Sequence, residues 1–185
     1  MKAEEIVVGL VALNDSELIG RTRLQKTIYL LDRCGADFGL PFEYYRYGPY
    51  SFELVGGLND ALADERMDVE EKPGRHKVRY AVFRTDAERP EALGNLPADR
   101  AVSLLGRMKY ISDFVLELAA TVVFLRDEWH YFGKDKVAAA DATDAAVEET
   151  KRRKALKATP ERLEKALVLL RDLGLAEAPV PGGSR

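Results

Sequence analysis

One apolar stripe in the second half of the chain constrains the fold more than any other feature. Its members recur at alternating steps of four and three: Leu104, Met108, Ile111, Val115, Leu118, Val122, Leu125, Trp129 and Phe132. This spacing keeps side chains on one face of an α-helix and is typical of a heptad-like seam. It fits one long helix, or two helices if Ser112-Asp113 begins a second one. We interpret the seam as core within one chain, with a homodimer seam as the alternative.

The overall composition sets the class of protein. The chain has 185 residues, of which 46% are apolar and 32% charged, so one domain with a substantial core is expected. Lys and Arg total 28 against 31 for Asp and Glu, and this net charge of −3 excludes a histone-like nucleic-acid coat. No apolar run reaches the ~20 residues of a membrane span, and the N-terminus lacks the apolar segment of a signal peptide. We therefore expect a cytoplasmic protein without a membrane partner.

The first half of the chain predicts three helices. Apolar residues recur at helical spacing in residues 3–13, 23–33 and 51–64. Thr22 and Gln25 fit a capping box at the start of the second helix. Gly56-Gly57 weakens the third helix, which indicates that another element packs closely there.

Three strands complete this half. The aromatic segment 42–47 predicts a short strand followed by a turn at Gly48-Pro49. Residues 67–72 and 77–84 predict a hairpin around Pro73-Gly74. The order helix, helix, strand, helix, strand, strand is that of a winged helix, with the hairpin as the wing.

The expected fold class is α+β and mostly helical, with a winged-helix-like N-terminal part of three helices plus a small antiparallel sheet and a C-terminal helical extension. Residues 1–84 form the winged-helix-like module and residues 85–97 a linker. Residues 98–178 form the helical extension, packed on the module as one compact unit and ending in a helix that Thr159-Pro160 begins. Residues 179–185 are expected to be a disordered tail.

Candidate catalytic residues are few. His76 falls at the predicted wing tip, where water is not excluded, and the single Cys34 allows neither an intrachain disulfide nor a Cys-based zinc site. No glycine-rich phosphate loop is present. We expect no enzyme activity, no cofactor and no metal, and an enzyme that uses Glu128 and His130 is the alternative.

A protein-interaction surface is the first hypothesis for function. The second helix carries Arg23 and Lys26, and the aromatic segment carries Tyr and Arg, which are enriched in protein interfaces. The candidate interaction residues are Arg23, Lys26, Tyr44, Arg46, Tyr47 and Tyr50.

DNA binding is the alternative hypothesis. The predicted wing carries four cations that suit phosphates: Lys72, Arg75, Lys77 and Arg79. The presumed reading helix argues against it, since residues 49–65 contain four acids and neither Lys nor Arg. DNA would therefore contact the wing and the second helix, unless those cations pair with local acids such as Asp32 and Glu43.

Two sequence blocks carry a family resemblance. Residues 20–31 read GRTRLQKTIYLL, and residues 44–51 read YYRYGPYS. Together they resemble the YwgA-like proteins and the related Panacea, or SocA-type, antitoxin domains, in which a Leu-Gln-Lys helix precedes an aromatic strand ending in Tyr-Gly-Pro. Residues 166–175, ALVLLRDLGL, are similar to the closing helix of that group.

The resemblance implies a winged-helix module without catalytic residues. Some members of the group are antitoxins, and others are adaptors that present a toxin for proteolysis. It therefore implies a protein partner, such as a toxin.

Overall fold

The computed structural model describes residues 1–74, 78–128 and 139–176, with the backbone alone at 139–141. Within these ranges the protein is α+β and mostly helical, as predicted. The helices are α1 (Ala3–Leu13), α2 (Arg21–Leu31), α3 (Phe52–Ala63), α4 (Ala98–Lys109), α5 (Asp113–Asp127), α6 (Ala139–Arg153) and α7 (Pro160–Asp172). The strands are β1 (Glu17–Ile19), β2 (Glu43–Tyr45), β3 (Gly48–Tyr50), β4 (Asp68–Pro73), β5 (Arg79–Arg84), β6 (Ala92–Leu93) and β7 (Leu96–Pro97).

Three strands form an antiparallel sheet in the order β1-β5-β4. The β4–β5 hairpin matches the prediction, but its partner β1 was not predicted, since a strand of three residues is too short to show alternation. Leu18 of β1 is opposite Phe83 of β5, and both side chains are buried in the core. The sheet thus packs against the helices through buried side chains of β1 and β5.

The aromatic segment does not join this sheet, which corrects the prediction of a single strand at 42–47. It folds into a separate hairpin in which β2 pairs with β3. Arg46 and Tyr47 form the turn, whereas Gly48-Pro49, predicted as the turn, lies within β3. Gly48 has φ 84°, and a Cβ at this position would collide with the Thr121 hydroxyl of α5. Glycine is therefore required by both backbone conformation and close packing.

The predicted capping box of α2 is wrong. Gly20 is the N-cap, without a side-chain cap, and Thr22 is already inside the helix. The Gln25 side chain bonds to the Ser51 backbone instead. Its Nε2 donates to the Ser51 carbonyl and its Oε1 accepts from the Ser51 backbone amide, both at 2.9 Å. Gln25 thereby connects α2 to the start of α3.

The apolar seam is divided between two helices. Ser112 caps α5, and its Oγ accepts a hydrogen bond from the Val115 amide at 3.4 Å. The seam residues of α4 and α5 are buried within the chain, which agrees with the interpretation as core. Trp129 and Phe132 lie outside the described residues.

Helix α5 lies at the centre of the molecule. It packs against α2, β3, α6 and α7, while α1 packs against α3 on the other side of the core. Thr159 caps α7 through the Arg162 amide, with Pro160 in the first turn, as predicted. The core is therefore built from both halves of the chain.

The segment 85–97, which the sequence predicts to be a linker, carries the short β6–β7 hairpin. Leu93 and Leu96 of this hairpin are buried in the core, and the Asn95 amide donates to the Ala36 carbonyl at 2.7 Å. The division into a module 1–84 and an extension 98–178 stays a prediction. The predicted tail, 179–185, lies outside the described residues.

Candidate functional site

The β2–β3 hairpin and the start of α3 expose a group of aromatic rings. Tyr45 is 44% exposed, Tyr47 50% and Phe52 56%, and Tyr50 is half-buried between them. The ring centroids of Tyr50 lie 5.3 Å from Tyr45 and 5.0 Å from Phe52, so the rings support one another. We call Tyr45, Tyr47, Tyr50 and Phe52 the aromatic surface.

Hydrogen bonds from two buried lysines hold the β2–β3 hairpin in place. The buried Lys26 ammonium of α2 donates to the Pro49 carbonyl at 2.6 Å. Lys154, which directly follows α6, donates to the Arg46 carbonyl at 2.8 Å. The hairpin backbone is thereby tied to two helices, which limits its freedom on the surface.

A buried ionic cluster lies beneath the hairpin. The Glu117 carboxylate of α5 is buried, with Lys154 at 3.0 Å and Lys157 at 2.8 Å. Lys157 also lies 4.5 Å from the centroid of the Tyr47 ring, a cation–π contact. The cluster therefore connects the core to the aromatic surface.

Lys26 is the most perturbed cation at this site. Burial lowers its pKa to about 7, Glu117 opposes the shift, and Lys154 and Lys157 add to it. Its charge is thus sensitive to pH near neutrality.

Neither predicted cation of α2 lies free on the surface. Lys26 is buried, and Arg23 is half-buried where α2 meets the α4–α5 junction. Arg23 donates to the Met108 carbonyl at 3.1 Å and pairs with Asp113 at 2.7 Å. Both residues contribute to packing between elements, and their partners are distant in sequence rather than the local acids considered above.

The predicted tyrosines separate into two groups. Tyr44 is half-buried, with its ring 6.0 Å from that of Phe124 and the Arg153 guanidinium 4.9 Å above it. Burial raises the pKa of Tyr44, and Arg153 opposes that shift. Tyr47, Tyr50 and Arg46 stay accessible and lie together.

A groove of about 340 Å³ runs between α2, the β2–β3 hairpin and α3. Its apolar part comes from Leu24, Leu54, Val55 and Leu58. Tyr45, Tyr47 and Tyr50 contribute to its rim, so the groove and the aromatic surface are continuous. Both sequence blocks that carry the resemblance meet here.

The wing cations that the structure describes have partners within the β4–β5 hairpin. Lys72 pairs with Glu70 at 3.2 Å, and Arg79 donates to the Glu71 carbonyl at 2.8 Å. Arg75 and Lys77, together with His76 at the predicted tip, lie outside the described residues.

The other reactive residues do not form a group in the described ranges. Glu128 follows the end of α5, and His130 lies outside those ranges. Burial raises the pKa of the Cys34 thiol to about 11. Within residues 1–74, 78–128 and 139–176, no three His, Cys, Asp or Glu side chains are placed to hold a metal ion. Among the same residues, no helix combines the length and apolarity of a membrane span.

Sequence reasoning missed the ionic cluster, and it did not include the exposed Tyr45 and Phe52 among the candidate interaction residues. One signal was available: Glu117 carries the charge in the run Val115–Leu125, whose other residues are apolar apart from Thr121, and a charge on a core face needs a partner. The identity of that partner depends on where the residues that follow α6 pack against α5.

No protein-family model matches the chain. The chain is similar to a protein of Bacillus subtilis (strain 168) named Uncharacterized protein YwgA. The two are 29% identical over 140 residues, which cover 69% of this chain and 80% of the relative. This similarity agrees with the resemblance to YwgA-like proteins.

Proposed function

We propose that this protein is a non-catalytic interaction module that binds a partner protein through the aromatic surface. The observation that carries the proposal is the exposure of Tyr45 and Tyr47 on a hairpin whose backbone Lys26 and Lys154 hold in place, together with exposed Phe52 at the start of α3. Exposed aromatic rings lose little conformational entropy when a partner covers them, and Tyr and Arg dominate binding energy in interfaces.

The proposed module has a winged-helix-like N-terminal part. The succession of α1, β1, α2, α3 and the β4–β5 hairpin, with the strand order β1-β5-β4, supports this assignment. The β2–β3 hairpin is then an insertion between α2 and α3 that adds the aromatic surface. The resemblance to Panacea, or SocA-type, domains makes an antitoxin-like or adaptor-like role the specific form of the proposal, with a toxin as partner.

Site-specific photo-crosslinking in the native host tests the proposal. A benzophenone amino acid at position 52 should yield a discrete adduct with one protein, because this position lies within the aromatic surface. The matched control places it at Val168, which is 42% exposed on α7. Tyr45→Ser in the same chain should reduce the position-52 adduct at least about tenfold.

The crosslinking result also separates the general proposal from its specific form. Identification of the adduct by mass spectrometry as a toxin supports the antitoxin-like role, and a different protein supports interaction alone. Equal labelling at positions 52 and 168, or no adduct at position 52, contradicts the proposal.

A DNA-binding regulator is the second candidate, and the winged-helix-like strand order favours it. The charges oppose it, since Glu70 and Glu71 accompany the described wing cations and α3 presents Glu53 and Asp60. Fluorescence anisotropy with duplex DNA at low salt tests it. Binding that falls steeply with salt and weakens in Arg79→Ala would establish this function, whereas no binding excludes it.

A further inference from the structure

We infer that the groove between α2, the β2–β3 hairpin and α3 binds a short acidic and apolar peptide segment. The inference rests on the proposed function and names the part of the partner protein that the groove accepts. The groove is continuous with the aromatic surface, because Tyr45, Tyr47 and Tyr50 belong to both, and it adds α2 and the apolar face of α3 to the contact area.

The shape and lining of the groove suit a few side chains. Its volume of about 340 Å³ is at the small end of ligand pockets. Leu24, Leu54 and Leu58 form its buried floor, and the half-buried Val55 and the tyrosine rings offer a surface for one or two aliphatic or aromatic residues. A whole helix would not enter such a space, whereas an extended segment can insert its side chains.

The charges of the groove are of one sign. Arg21, Lys26 and Arg46 contribute to its lining, and no Asp or Glu is among the described residues that do so. Arg21 already pairs with Glu71 at 3.0 Å, and the buried Lys26 ammonium donates to the Pro49 carbonyl at 2.6 Å. Among the described residues the Arg46 guanidinium has no hydrogen-bond or ion-pair partner, so it remains for a carboxylate of the ligand. Guanidinium–carboxylate bonds are about twice as strong as neutral hydrogen bonds.

The surroundings favour a peptide over a single-stranded nucleic acid. Aromatic rings and cations are common to both kinds of site. Acids flank this one, however: Glu43 lies opposite Tyr50 in the hairpin, Glu53 follows Phe52, and Glu71 is beside Arg21. A polyanion that extended beyond the groove would meet these carboxylates, whereas a peptide needs to place one acid at Arg46.

Selection from a random peptide library displayed on phage, with the full chain immobilised, tests the inference. We expect the enriched peptides to carry Asp or Glu next to an aliphatic or aromatic residue. A synthetic copy of the most enriched peptide should bind at least about tenfold more weakly to Arg46→Glu. The matched control, Lys165→Glu, changes an exposed cation on α7 and should keep the affinity of the unmodified protein.

Three results would overturn the inference: no enrichment, a basic or purely apolar consensus, or equal affinity for Arg46→Glu and the unmodified protein. Displacement of the peptide by a thymidine oligonucleotide, itself sensitive to Arg46→Glu, would instead identify a nucleic-acid groove. Crosslinking at position 52 without an acidic consensus would support the proposed function and contradict this inference. An acidic consensus without that crosslink would support a peptide-binding groove and contradict the proposal that a partner protein binds the aromatic surface.

Discussion

Glu117 is the single residue with the most consequential environment. Its carboxylate is buried in α5 and is the acidic partner of both Lys154 and Lys157. Loss of one member of a buried ionic group is costly because it leaves the other charges uncompensated in a medium of low polarity.

We therefore expect Glu117→Gln to lower the free energy of unfolding by about 3 kcal/mol. Urea denaturation followed by circular dichroism measures the change. Glu148→Gln is the control, since Glu148 pairs with Lys151 on the exposed side of α6 and such pairs contribute about 0.5 kcal/mol or less. Similar losses in the two variants would show that the cluster has no special role in stability.

Lys26 makes the free energy of unfolding depend on pH. Its pKa is lowered to about 7 by burial, so between pH 7 and the ordinary lysine pKa of 10.5 the unfolded chain binds more protons than the native one. The free energy of unfolding contributed by this residue therefore rises with pH across that range.

Lys26→Met removes this contribution. The variant also loses the Lys26–Pro49 hydrogen bond, which adds an offset that does not depend on pH. The stability of the variant relative to the unmodified protein should therefore be highest below pH 7 and should fall steadily towards pH 10. Denaturation curves for both proteins at matched pH values test this difference, in which titrating groups that do not interact with Lys26 cancel. Parallel stability curves from pH 6 to pH 10 would contradict the assignment.

The cations of α2 show what a single position in the sequence cannot reveal. Arg23 and Lys26 were predicted on an interaction surface because they lie on the helix that carries the family resemblance, next to an aromatic-rich segment. Their accepting groups, the Met108 and Pro49 carbonyls, are reached only after the chain has folded back. The accessible members of the predicted set are Arg46, Tyr47 and Tyr50.

The two adjacent glycines of α3 differ in how closely α1 approaches them. Gly57 faces α1, and a Cβ there would collide with the backbone of Ala3 and Glu4. Gly56 faces open space, since no neighbouring group of the described residues lies within 4 Å of the position that a Cβ would occupy. The close approach indicated by the Gly56-Gly57 pair is thus due to Gly57 alone.

Gly57→Ala should destabilise the protein by about 1–3 kcal/mol, because α1 must move away from α3. Gly56→Ala should stabilise it by up to about 1 kcal/mol, since alanine lowers the entropy of the unfolded chain and favours the helix. Thermal unfolding of both variants measures the pair. A loss of stability in Gly56→Ala, or none in Gly57→Ala, would contradict this account of the α1–α3 contact.

The elements themselves were predictable in proportion to their length. Helices of eleven residues or more show their periodicity, so all of those in the first half were expected. The strand β1 was missed, and the aromatic segment was assigned to the wrong sheet. Strand pairing depends on distant partners, and the pattern within a three-residue strand does not identify them.

At the scale of the whole molecule, α5 joins the two halves of the chain. It contacts α2 and β3 from the first half and α6 and α7 from the second. The buried β6–β7 hairpin adds contacts where the sequence predicted a linker.

We therefore expect the chain to unfold in one cooperative transition. Far-ultraviolet circular dichroism reports the helices, and near-ultraviolet circular dichroism reports the aromatic side chains of both parts, with most tyrosines before residue 84 and Trp129 in the predicted extension. The two signals should show the same denaturation midpoint. Two separated midpoints would indicate that the predicted module 1–84 and extension 98–178 are independent units.

The aromatic surface is expected to contribute to binding more than to folding. Tyr47→Ser with Phe52→Ser should lower the free energy of unfolding by about 1 kcal/mol, because one cation–π contact and the Phe52–Tyr50 ring contact are lost at half-exposed positions. The same pair of changes should weaken binding to the crosslinked partner at least about tenfold. Calorimetric titration with that partner and urea denaturation measure the two effects separately, and a loss of stability without a loss of affinity would contradict the proposal.

The sequence by itself determined the α+β, mostly helical class, the helical seam with a possible break at Ser112-Asp113, the β4–β5 hairpin and the concentration of tyrosines near residue 47, whereas the structure decided that the seam is two helices. These features depend on local periodicity, caps and composition, which are readable along the chain. The tertiary structure alone decided which cations are buried, which tyrosines are exposed, and that Glu117 meets Lys154 and Lys157. The physical reason is that burial and ionic pairing depend on contacts between segments far apart in sequence. A local sequence pattern carries no information about those contacts.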